Sequence, residues 1–402
     1  MIRMLACVFF SLAWANMAAA LDLSAFQPVD LPVGPGAADP SLAPLPDGRL
    51  AMTWTEPAPS GHAVRIAILG AHGWGAPATV AEGTDLFVNW ADFASVAALA
   101  DGTLAAHWLR RSGPSSYAYD VNIALSRDDG RTWGPALIPH RDATASQHGF
   151  VTLHPLEEEA LAVWLDGRAH DGAMLEEGAV PGAMQLHAAR LAPDGQAGPD
   201  LTLDPSTCSC CQTAAAMAGE DLLVVYRDRT ADEIRDISIV ALRDGAWTPP
   251  RPVHRDGWEI SGCPVNGPAI AALGPRVAVA WFTGAGDIAA VKLAFSEDAG
   301  RSFGPPVRID HGQPVGRVDT VMLADGTALV SWIGWDGTGE VLTLCRATGA
   351  GCMAARSVAR NDAGGTMNFP ALAVASGMAY LAWTQPLPGG IDTIRMLAAP
   401  LR

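Results

Sequence analysis

Short runs of alternating apolar and polar residues recur along the whole chain, separated by turns rich in glycine and proline. Each repeat starts with a strand of small residues and continues with an apolar strand that ends in a large aromatic residue. An alternating strand and an edge strand containing Gly-Pro complete it. Four short strands in a repeat of roughly 40–50 residues are typical of a β-propeller blade. We label the strands of one repeat A to D.

The aromatic residue that ends strand B marks seven repeats. These residues are spaced 51 to 62 positions apart, at Trp54, Trp108, Trp164, Tyr226, Trp281, Trp332 and Trp383. The seventh repeat has no strand D, whereas residues 25–29 look like a strand D without a blade. We therefore predict an all-β fold: a single propeller of seven four-stranded antiparallel blades, closed by the N-terminal strand, which removes an exposed sheet edge. Six blades plus an outlying repeat are the alternative.

The N-terminus has the features of a secretory signal peptide. Arg3 gives a short positive start, residues 5–15 are apolar, and three alanines end the segment at Ala20. We assign residues 1–20 to the signal peptide and 21–402 to the propeller, and expect a periplasmic or extracellular protein. No later apolar run is long enough to predict a membrane span.

Charge narrows the possible partners. The formal net charge is −16, which argues against nucleic-acid binding because such proteins carry a basic patch or stripe. Lys292 is the only lysine, so any anion site in this chain consists of arginine side chains.

Two turns between strands C and D carry the same motif. Residues 126–133 and 296–303 both fit Ser-x-Asp-x-Gly-x-Thr/Ser-Trp/Phe. In such a hairpin the aspartate accepts backbone N–H bonds and the glycine takes a positive φ. On these motifs and the repeat, the chain resembles the Asp-box (BNR-repeat) sialidase-like β-propellers. In that family the Asp-box is a fold element on the outside of the blade.

The resemblance implies activity on an anionic glycan. Sialidases of this type have six blades, three arginines that hold the substrate carboxylate, a Tyr/Glu nucleophile pair and an aspartic acid catalyst. The Arg-Ile-Pro motif that supplies their first arginine is absent here, and Tyr226 occupies a blade-core position. The resemblance therefore implies an exported propeller that binds or hydrolyses a carboxylated glycan, or binds another anionic small molecule, at the mouth of the channel.

In a propeller, the D–A and B–C loops emerge on one face, around the channel mouth. The catalytic candidates on these loops are Asp92, Asp228 and Asp319. The candidates for ligand binding are Arg168, Arg227, Arg229, Arg235, Arg317, Asn266 and Trp258.

Two groups among these candidates have structural alternatives. Arg317 opens an innermost strand, and Asp319, two residues later, points to the same side of a regular strand. The pair is either an internal ion pair or an arginine clamp beside a general acid. The alternating charges of residues 227–236 predict either a salt-bridged hairpin or guanidinium groups aimed at an anion.

Six cysteines remain after the signal peptide, an even number that favours disulfides in an exported protein. We expect Cys345 to pair with Cys352 across a C–D turn. We expect Cys211 to pair with Cys263, because both lead into strand A of adjacent blades. The alternative is a soft-metal site for copper or zinc, formed by Cys208, Cys210, Cys211, Cys263 and His148. In that case the protein is a non-enzymatic periplasmic propeller with a cysteine-rich site for a metal or for thiol chemistry. Otherwise no cofactor is expected, and the protein is either the glycan propeller or an interaction scaffold.

Overall fold

The seven repeats form seven antiparallel sheets around a central channel, which confirms the predicted seven-bladed propeller. The structure is a computed structural model that describes residues 21–156, 158–169 and 184–401; the predicted signal peptide lies outside these ranges. Each sheet starts with its innermost strand at the channel and continues outward in chain order, except that the N-terminal strand takes the outermost position of the seventh sheet.

The N-terminal strand precedes the first four blades. The strands are β1 (Gln27–Pro28); β2 (Ala38–Pro44), β3 (Leu50–Ala58), β4 (Gly61–Gly70), β5 (Gly73–Trp74) and β6 (Ala78–Gly83) in blade 1; β7 (Ser95–Ala98), β8 (Leu104–Arg111) and β9 (Tyr119–Ser126) in blade 2; β10 (His148–Leu156), β11 (Glu159–Asp166), β12 (Met184–Leu191) and β13 (Leu201–Thr207) in blade 3; β14 (Ala214–Ala218), β15 (Asp221–Arg227), β16 (Ile237–Arg243), β17 (Ala246–Trp247) and β18 (Arg251–Pro252) in blade 4. In blades 1 and 4 two short segments share the outer position, and in blade 2 this position is reduced to a bridge between Ile123 and Leu137.

Three further blades complete the ring. Their strands are β19 (Ala269–Leu273), β20 (Arg276–Thr283), β21 (Ala290–Ser296) and β22 (Val307–Arg308) in blade 5; β23 (Gln313–Met322), β24 (Ala328–Trp335), β25 (Glu340–Thr348) and β26 (Gly351–Asn361) in blade 6; β27 (Ala371–Ala375), β28 (Met378–Leu387) and β29 (Ile391–Pro400) in blade 7. The helical segments of the described residues are two 3-10 turns, Leu23–Ala25 and Ala285–Asp287. Neither has the length and apolar character needed to cross a lipid bilayer.

The N-terminal strand closes the ring as predicted. Gln27 pairs with Ala398 and Pro28 with Leu397, so β1 becomes the fourth strand of blade 7. Phe26, immediately before β1, is buried in the apolar cluster between blades 6 and 7. Strand pairing and side-chain burial therefore both contribute to closure.

The aromatic residues that mark the repeats are core residues. All seven are at most 5% exposed, and they pack between neighbouring sheets. Trp54 and Trp164 each donate their indole N–H to a carboxylate two residues later, Glu56 at 2.7 Å and Asp166 at 2.8 Å. These tryptophans thus provide apolar contacts between the sheets, and their indole N–H groups are hydrogen-bonded at the end of strand B.

The two Asp-box turns have the same hydrogen bonds. In blade 2, Oδ1 of Asp128 accepts from the backbone N of Thr132 at 2.9 Å, and the backbone N of Gly130 donates to Oγ of Ser126 at 2.9 Å. In blade 5, Oδ1 of Asp298 accepts from the backbone N of Ser302 at 2.8 Å. Gly130 has a φ of +77°, as the motif requires. Hydrogen bonds, chiefly from Thr132, lower the pKa of Asp128 to about 2.

The innermost strands of blades 1, 3 and 6 are irregular where they begin. β2, β10 and β23 have register shifts near Asp39, Phe150 and Arg317, and these three residues have positive φ values of 59°, 52° and 54°. A bulge re-aims the side chains that follow it. These bulges determine which groups face the channel.

Candidate functional site

The central channel is a cavity of about 540 Å³ lined by the innermost strands of all seven blades. We call the end where these strands begin the upper mouth; its lining includes Asp92, Phe150, Gln212 and Phe369. The volume falls in the range of small-molecule sites. The D–A and B–C loops, which carry the candidate residues predicted from the sequence, lie at this end.

An aromatic and cationic cluster lies at the upper mouth. The rings of Trp90 and Phe369 stack with centroids 6.0 Å apart, and the guanidinium of Arg317 lies 4.9 Å from the Trp90 ring centroid. Trp90 is 36% exposed, whereas Phe369 and Arg317 are buried. We call Trp90, Arg317 and Phe369 the rim patch.

Arg317 is held in the rim patch by one edge of its guanidinium. Nη1 donates to Oε1 of Glu340 at 2.9 Å and to the carbonyl oxygen of Met367 at 2.5 Å. Within the described ranges, no residue accepts a hydrogen bond from its Nε or Nη2. Half of the guanidinium fork therefore stays free beside an exposed aromatic ring.

The predicted pairing of Arg317 with Asp319 is wrong. The register of β23 shifts between Gly316 and Asp319, so the two residues do not share one face as in a regular strand. Asp319 instead accepts from the backbone N of Leu372 at 2.6 Å and of Thr320 at 2.8 Å. The partner of Arg317 is Glu340, which the sequence analysis missed because it lies on another strand of the blade.

Two of the three catalytic candidates, Asp92 and Asp319, line the channel. Burial raises the pKa of each to about 7, even though hydrogen-bond donors stabilise both carboxylates. Asp92 accepts from the backbone N of Phe150 at 2.7 Å and from the Tyr119 hydroxyl at 3.0 Å. Burial likewise raises the pKa of Asp39, at the start of β2, to about 7. These aspartates carry a proton for part of the time near neutral pH.

The arginine candidates of blade 4 have partners within the protein. Arg227 is 1% exposed and donates to three backbone carbonyl groups, those of Asn266, Arg235 and Phe282. Arg229 and Arg235 both pair with Glu233, at 2.6 and 2.7 Å. The structure therefore has the salt-bridged hairpin that was one of the two interpretations of this segment.

The third catalytic candidate, Asp228, lies in the same hairpin and away from the channel lining. It accepts from the hydroxyl of Ser238 at 2.9 Å and from the backbone N of Arg229 at 2.7 Å. Burial, followed by the charge of Asp204, raises its pKa. The hairpin accounts for the position of Asp228 without a ligand.

Asn266 and Trp258 connect blades. Nδ2 of Asn266 donates to the carbonyl oxygen of Val315 at 3.1 Å, and its Oδ1 accepts from the backbone N of Arg317 at 2.7 Å. Trp258 is buried, and the guanidinium of Arg227 lies 4.8 Å from its ring centroid. Asn266 thus supports the bulge that carries Arg317, whereas the Trp258 ring is covered by protein.

Arg168 and His148 belong to a cluster that joins blades 2 and 3. Arg168 pairs with Asp166 at 2.7 Å and with Asp200 at 2.5 Å. His148 lies 3.3 Å from oxygens of both Asp120 and Asp142. The cluster therefore fixes the upper ends of β9, β10 and β11 against one another.

The two histidines of this cluster have opposite pKa shifts. His140 stacks on His148 with ring centroids 3.7 Å apart. Burial lowers the pKa of His148, but hydrogen bonds to Asp120 and Asp142 outweigh this effect and raise it to about 9. Burial and the charge of His148 lower the pKa of His140. His140, Asp120 and Asp142 were not among the predicted site residues, although the pattern His-x-Asp at 140–142, shortly before His148, was a signal.

Four cysteines lie together at the upper mouth side of blades 4 and 5. Cys210 forms a disulfide with Cys263, so the predicted pairing of Cys211 with Cys263 is wrong by one position. Cys208 and Cys211 are free thiols and buried, with their Sγ atoms 2.8 Å apart. His148 lies in the cluster with Asp120 and Asp142 and has no contact with these sulfurs among the described residues.

The second predicted disulfide is present. Cys345 on β25 and Cys352 on β26 are bonded across the C–D turn of blade 6. This turn has no Asp-box, so the disulfide links the two strands at the corresponding position.

Comparison with solved structures shows the fold. An ulvan lyase, described as a new family of polysaccharide lyase bound to -[GlcA(1-4)Rha3S]-, aligns with a TM-score of 0.60 and 9% identity over 94% of this chain and 96% of its own. The polysaccharide lyase Uly1 aligns with a TM-score of 0.52 and 9% identity over 88% of each chain. The Hadza microbial sialidase Hz136 aligns with a TM-score of 0.50 and 15% identity over 86% of this chain and 74% of its own. No family model and no curated protein sequence matches the chain.

Proposed function

We propose that this protein is an exported propeller that binds an anionic, carboxylated glycan at the upper mouth. The observation that carries the proposal is the rim patch, where a guanidinium with one free edge lies 4.9 Å from the centroid of a half-exposed tryptophan ring. A sugar acid presents both a carboxylate and an apolar ring face. The rim patch offers a complementary group for each.

The chemistry of the two groups supports this ligand class. Arginine binds carboxylate and sulfate through two parallel N–H bonds, and Glu340 and Met367 hold the Arg317 side chain in place before the ligand arrives. Trp90 is 36% exposed and offers apolar ring surface beside the guanidinium, and Phe369 stacks against the ring. Pre-positioned groups lose less conformational entropy on binding.

The structural neighbours support a glycan rather than another anion. Those named above are a sialidase and two polysaccharide lyases, one of which is bound to -[GlcA(1-4)Rha3S]-. That fragment contains a uronic acid. The shared fold is thus compatible with binding of a carboxylated sugar.

The predicted signal peptide and the disulfides Cys210–Cys263 and Cys345–Cys352 support a periplasmic or extracellular location. Extracellular polysaccharides and glycoconjugates are accessible there.

Binding is tested by tryptophan fluorescence and calorimetric titration with glucuronic-acid oligosaccharides, sialyllactose and their neutral counterparts. We expect the anionic ligands to bind and the Trp90→Ala variant to lose at least tenfold in affinity. Trp335→Ala is the matched control, because Trp335 is a 44% exposed tryptophan on β24 that is not part of the rim patch. Equal affinity for neutral and anionic sugars, or equal effects of the two substitutions, contradicts the proposal.

Turnover is measured on the same ligands. Release of free sugar indicates hydrolysis, and a new ultraviolet absorbance from an unsaturated uronic acid indicates elimination. Asp92 and Asp319 are the acids to substitute if either appears, because they line the channel and have a pKa of about 7.

A further inference from the structure

The cluster of four cysteines has no role in the proposed glycan site. Cys208, Cys210 and Cys211 lie on the segment before β14, and Cys263 lies on the segment before β19. The Cys210–Cys263 disulfide ties these segments together and leaves Cys208 and Cys211 as a dithiol with Cys-x-x-Cys spacing.

The two thiols are held in close contact and shielded from water. The two Sγ atoms lie 2.8 Å apart, and Sγ of Cys210 lies 3.9 Å from that of Cys208. Cys208 and Cys211 are at most 1% exposed and pack in an apolar cluster. Cys263 is exposed, so the disulfide forms the boundary between the dithiol and the solvent.

The donor atoms around this position are all sulfur. The sulfurs of cysteines 208, 210 and 211 lie together, and this group includes no histidine, aspartate or glutamate from the described parts of the chain. Cys210 is engaged in its disulfide, which leaves Cys208 and Cys211 as donors. Sulfur donors without oxygen donors select soft metal ions such as Cu(I) and exclude Mg²⁺ and Ca²⁺.

Buried arginine provides the charge that a metal–thiolate complex requires. Nη1 of Arg235 lies 3.6 Å from Sγ of Cys208, and Arg235 is itself buried. Arg227 is also fully buried, and its Nη1 donates to the carbonyl oxygen of Arg235. A Cu(I) ion with two thiolates has one net negative charge. Arg235 also pairs with Glu233, so the compensating charge comes from Arg227, whose hydrogen-bond partners among the described residues are backbone carbonyl groups.

We propose that Cys208 and Cys211 form a binding site for a monovalent soft metal ion, Cu(I). Binding releases the two thiol protons and forms two Cu–S bonds, with no change in oxidation state. The two sulfurs separate by side-chain rotation to admit the ion, and the Cys210–Cys263 disulfide remains intact. Zinc fits less well, because structural zinc takes four ligands and this site offers two free thiols among the described residues.

The site is tested by anaerobic titration of the purified mature protein with Cu(I), in competition with a chromophoric Cu(I) chelator. We expect one Cu(I) per chain, an ultraviolet thiolate-to-copper absorbance, and at least a hundredfold weaker binding in Cys208→Ser and Cys211→Ser. The control is the double variant Cys345→Ser/Cys352→Ser, which removes two sulfurs from blade 6 and is expected to keep the binding. Equal binding by the Cys208 variant and the wild type overturns the proposal.

A second measurement needs no variant and remains informative if the serine variants do not fold. The wild type is alkylated with and without one equivalent of Cu(I), under conditions that open the buried site, and its peptides are mapped. We expect Cu(I) to protect Cys208 and Cys211 together. The assignment is overturned if both cysteines are alkylated at the same rate with copper as without it. It is also overturned if the pair is isolated as a Cys208–Cys211 disulfide and the protein still does not bind copper after reduction. The glycan titrations do not involve these residues, so the two proposals fail independently.

Discussion

Tyr119 donates its phenolic hydrogen to Oδ2 of Asp92 at 3.0 Å, while the backbone N of Phe150 donates to Oδ1 of the same carboxylate at 2.7 Å. Asp92 thereby joins strand C of blade 2 to the bulge that begins blade 3. The carboxylate lies beside the channel, and burial raises its pKa to about 7. The Asp92 side chain thus both connects blades 2 and 3 and binds a proton near neutral pH.

Asp92→Asn should change how stability depends on pH. The pKa of Asp92 is higher in the folded protein than its usual 3.8, so the wild type loses stability as pH rises from about 4 to about 7. Asparagine does not titrate and retains one acceptor for Phe150. We expect the variant to gain on the order of 1–3 kcal/mol relative to the wild type between pH 4.5 and pH 8, measured by urea unfolding.

The exposed Asp232→Asn variant controls for the loss of one negative charge. Its difference from the wild type should stay nearly constant over the same range. If Asp92→Asn also shows a constant difference, the carboxylate does not titrate as the structure indicates.

Arg317 and Glu340 should behave as a coupled pair. Both are buried, so Arg317→Met leaves Glu340 unpaired and should cost about 3–5 kcal/mol. The double variant Arg317→Met/Glu340→Gln should cost clearly less than the sum of the two single variants. Denaturant unfolding of all four proteins measures this coupling. If the costs of the two single variants simply add, the contact between Arg317 and Glu340 contributes nothing to stability. Asp319→Asn is the control: combined with Arg317→Met, it should show no coupling.

The blade number could be predicted from sequence because its signals are local and repeated. Trp54 and Trp383 stand at the same place in the strand pattern, and the structure buries both in the same way. The Asp-box turns were predictable for the same reason, since Asp128 and Gly130 act within one hairpin.

The site was harder to predict because it depends on irregular backbone. The bulge before Asp319 breaks the two-residue period on which the Arg317–Asp319 pairing rested, and Glu340 enters from two strands away. The cysteine error has a similar cause. Cys208–Cys211 lies outside any strand, so no periodicity indicates whether Cys210 or Cys211 faces Cys263.

Phe26→Ala tests the closure of the ring. Phe26 is 2% exposed and packs between blades 6 and 7 beside the two-residue strand β1. Truncation of a buried phenylalanine costs about 3–5 kcal/mol. We expect a corresponding fall in the free energy of unfolding and faster proteolysis of the N-terminal segment.

Gln27→Ala is the control for the Phe26 variant, because Gln27 is exposed and pairs with Ala398 in the sheet through its backbone. It should unfold within about 0.5 kcal/mol of the wild type. A stable Phe26→Ala protein would show that the N-terminal segment is not needed for closure.

His148 should make the stability of the blade 2–blade 3 junction decrease in alkaline solution. Asp120, Asp142 and Asp166 surround its ring, and His140 stacks on it. Its pKa is about 9 in the folded protein against 6.5 for an ordinary histidine, so the folded state binds this proton more tightly. The resulting stabilisation is fully present below about pH 6.5 and is lost as pH rises through about 9.

His148→Gln removes this contribution, so we expect its destabilisation relative to the wild type to be largest at pH 6 and to shrink toward pH 9.5. The shift in pKa corresponds to a change of up to about 3 kcal/mol between these limits. Urea unfolding at half-unit pH steps measures it, with the exposed His62→Gln as the control for loss of an imidazole. A destabilisation that does not vary with pH would mean that His148 contributes by packing against His140 rather than by its charge.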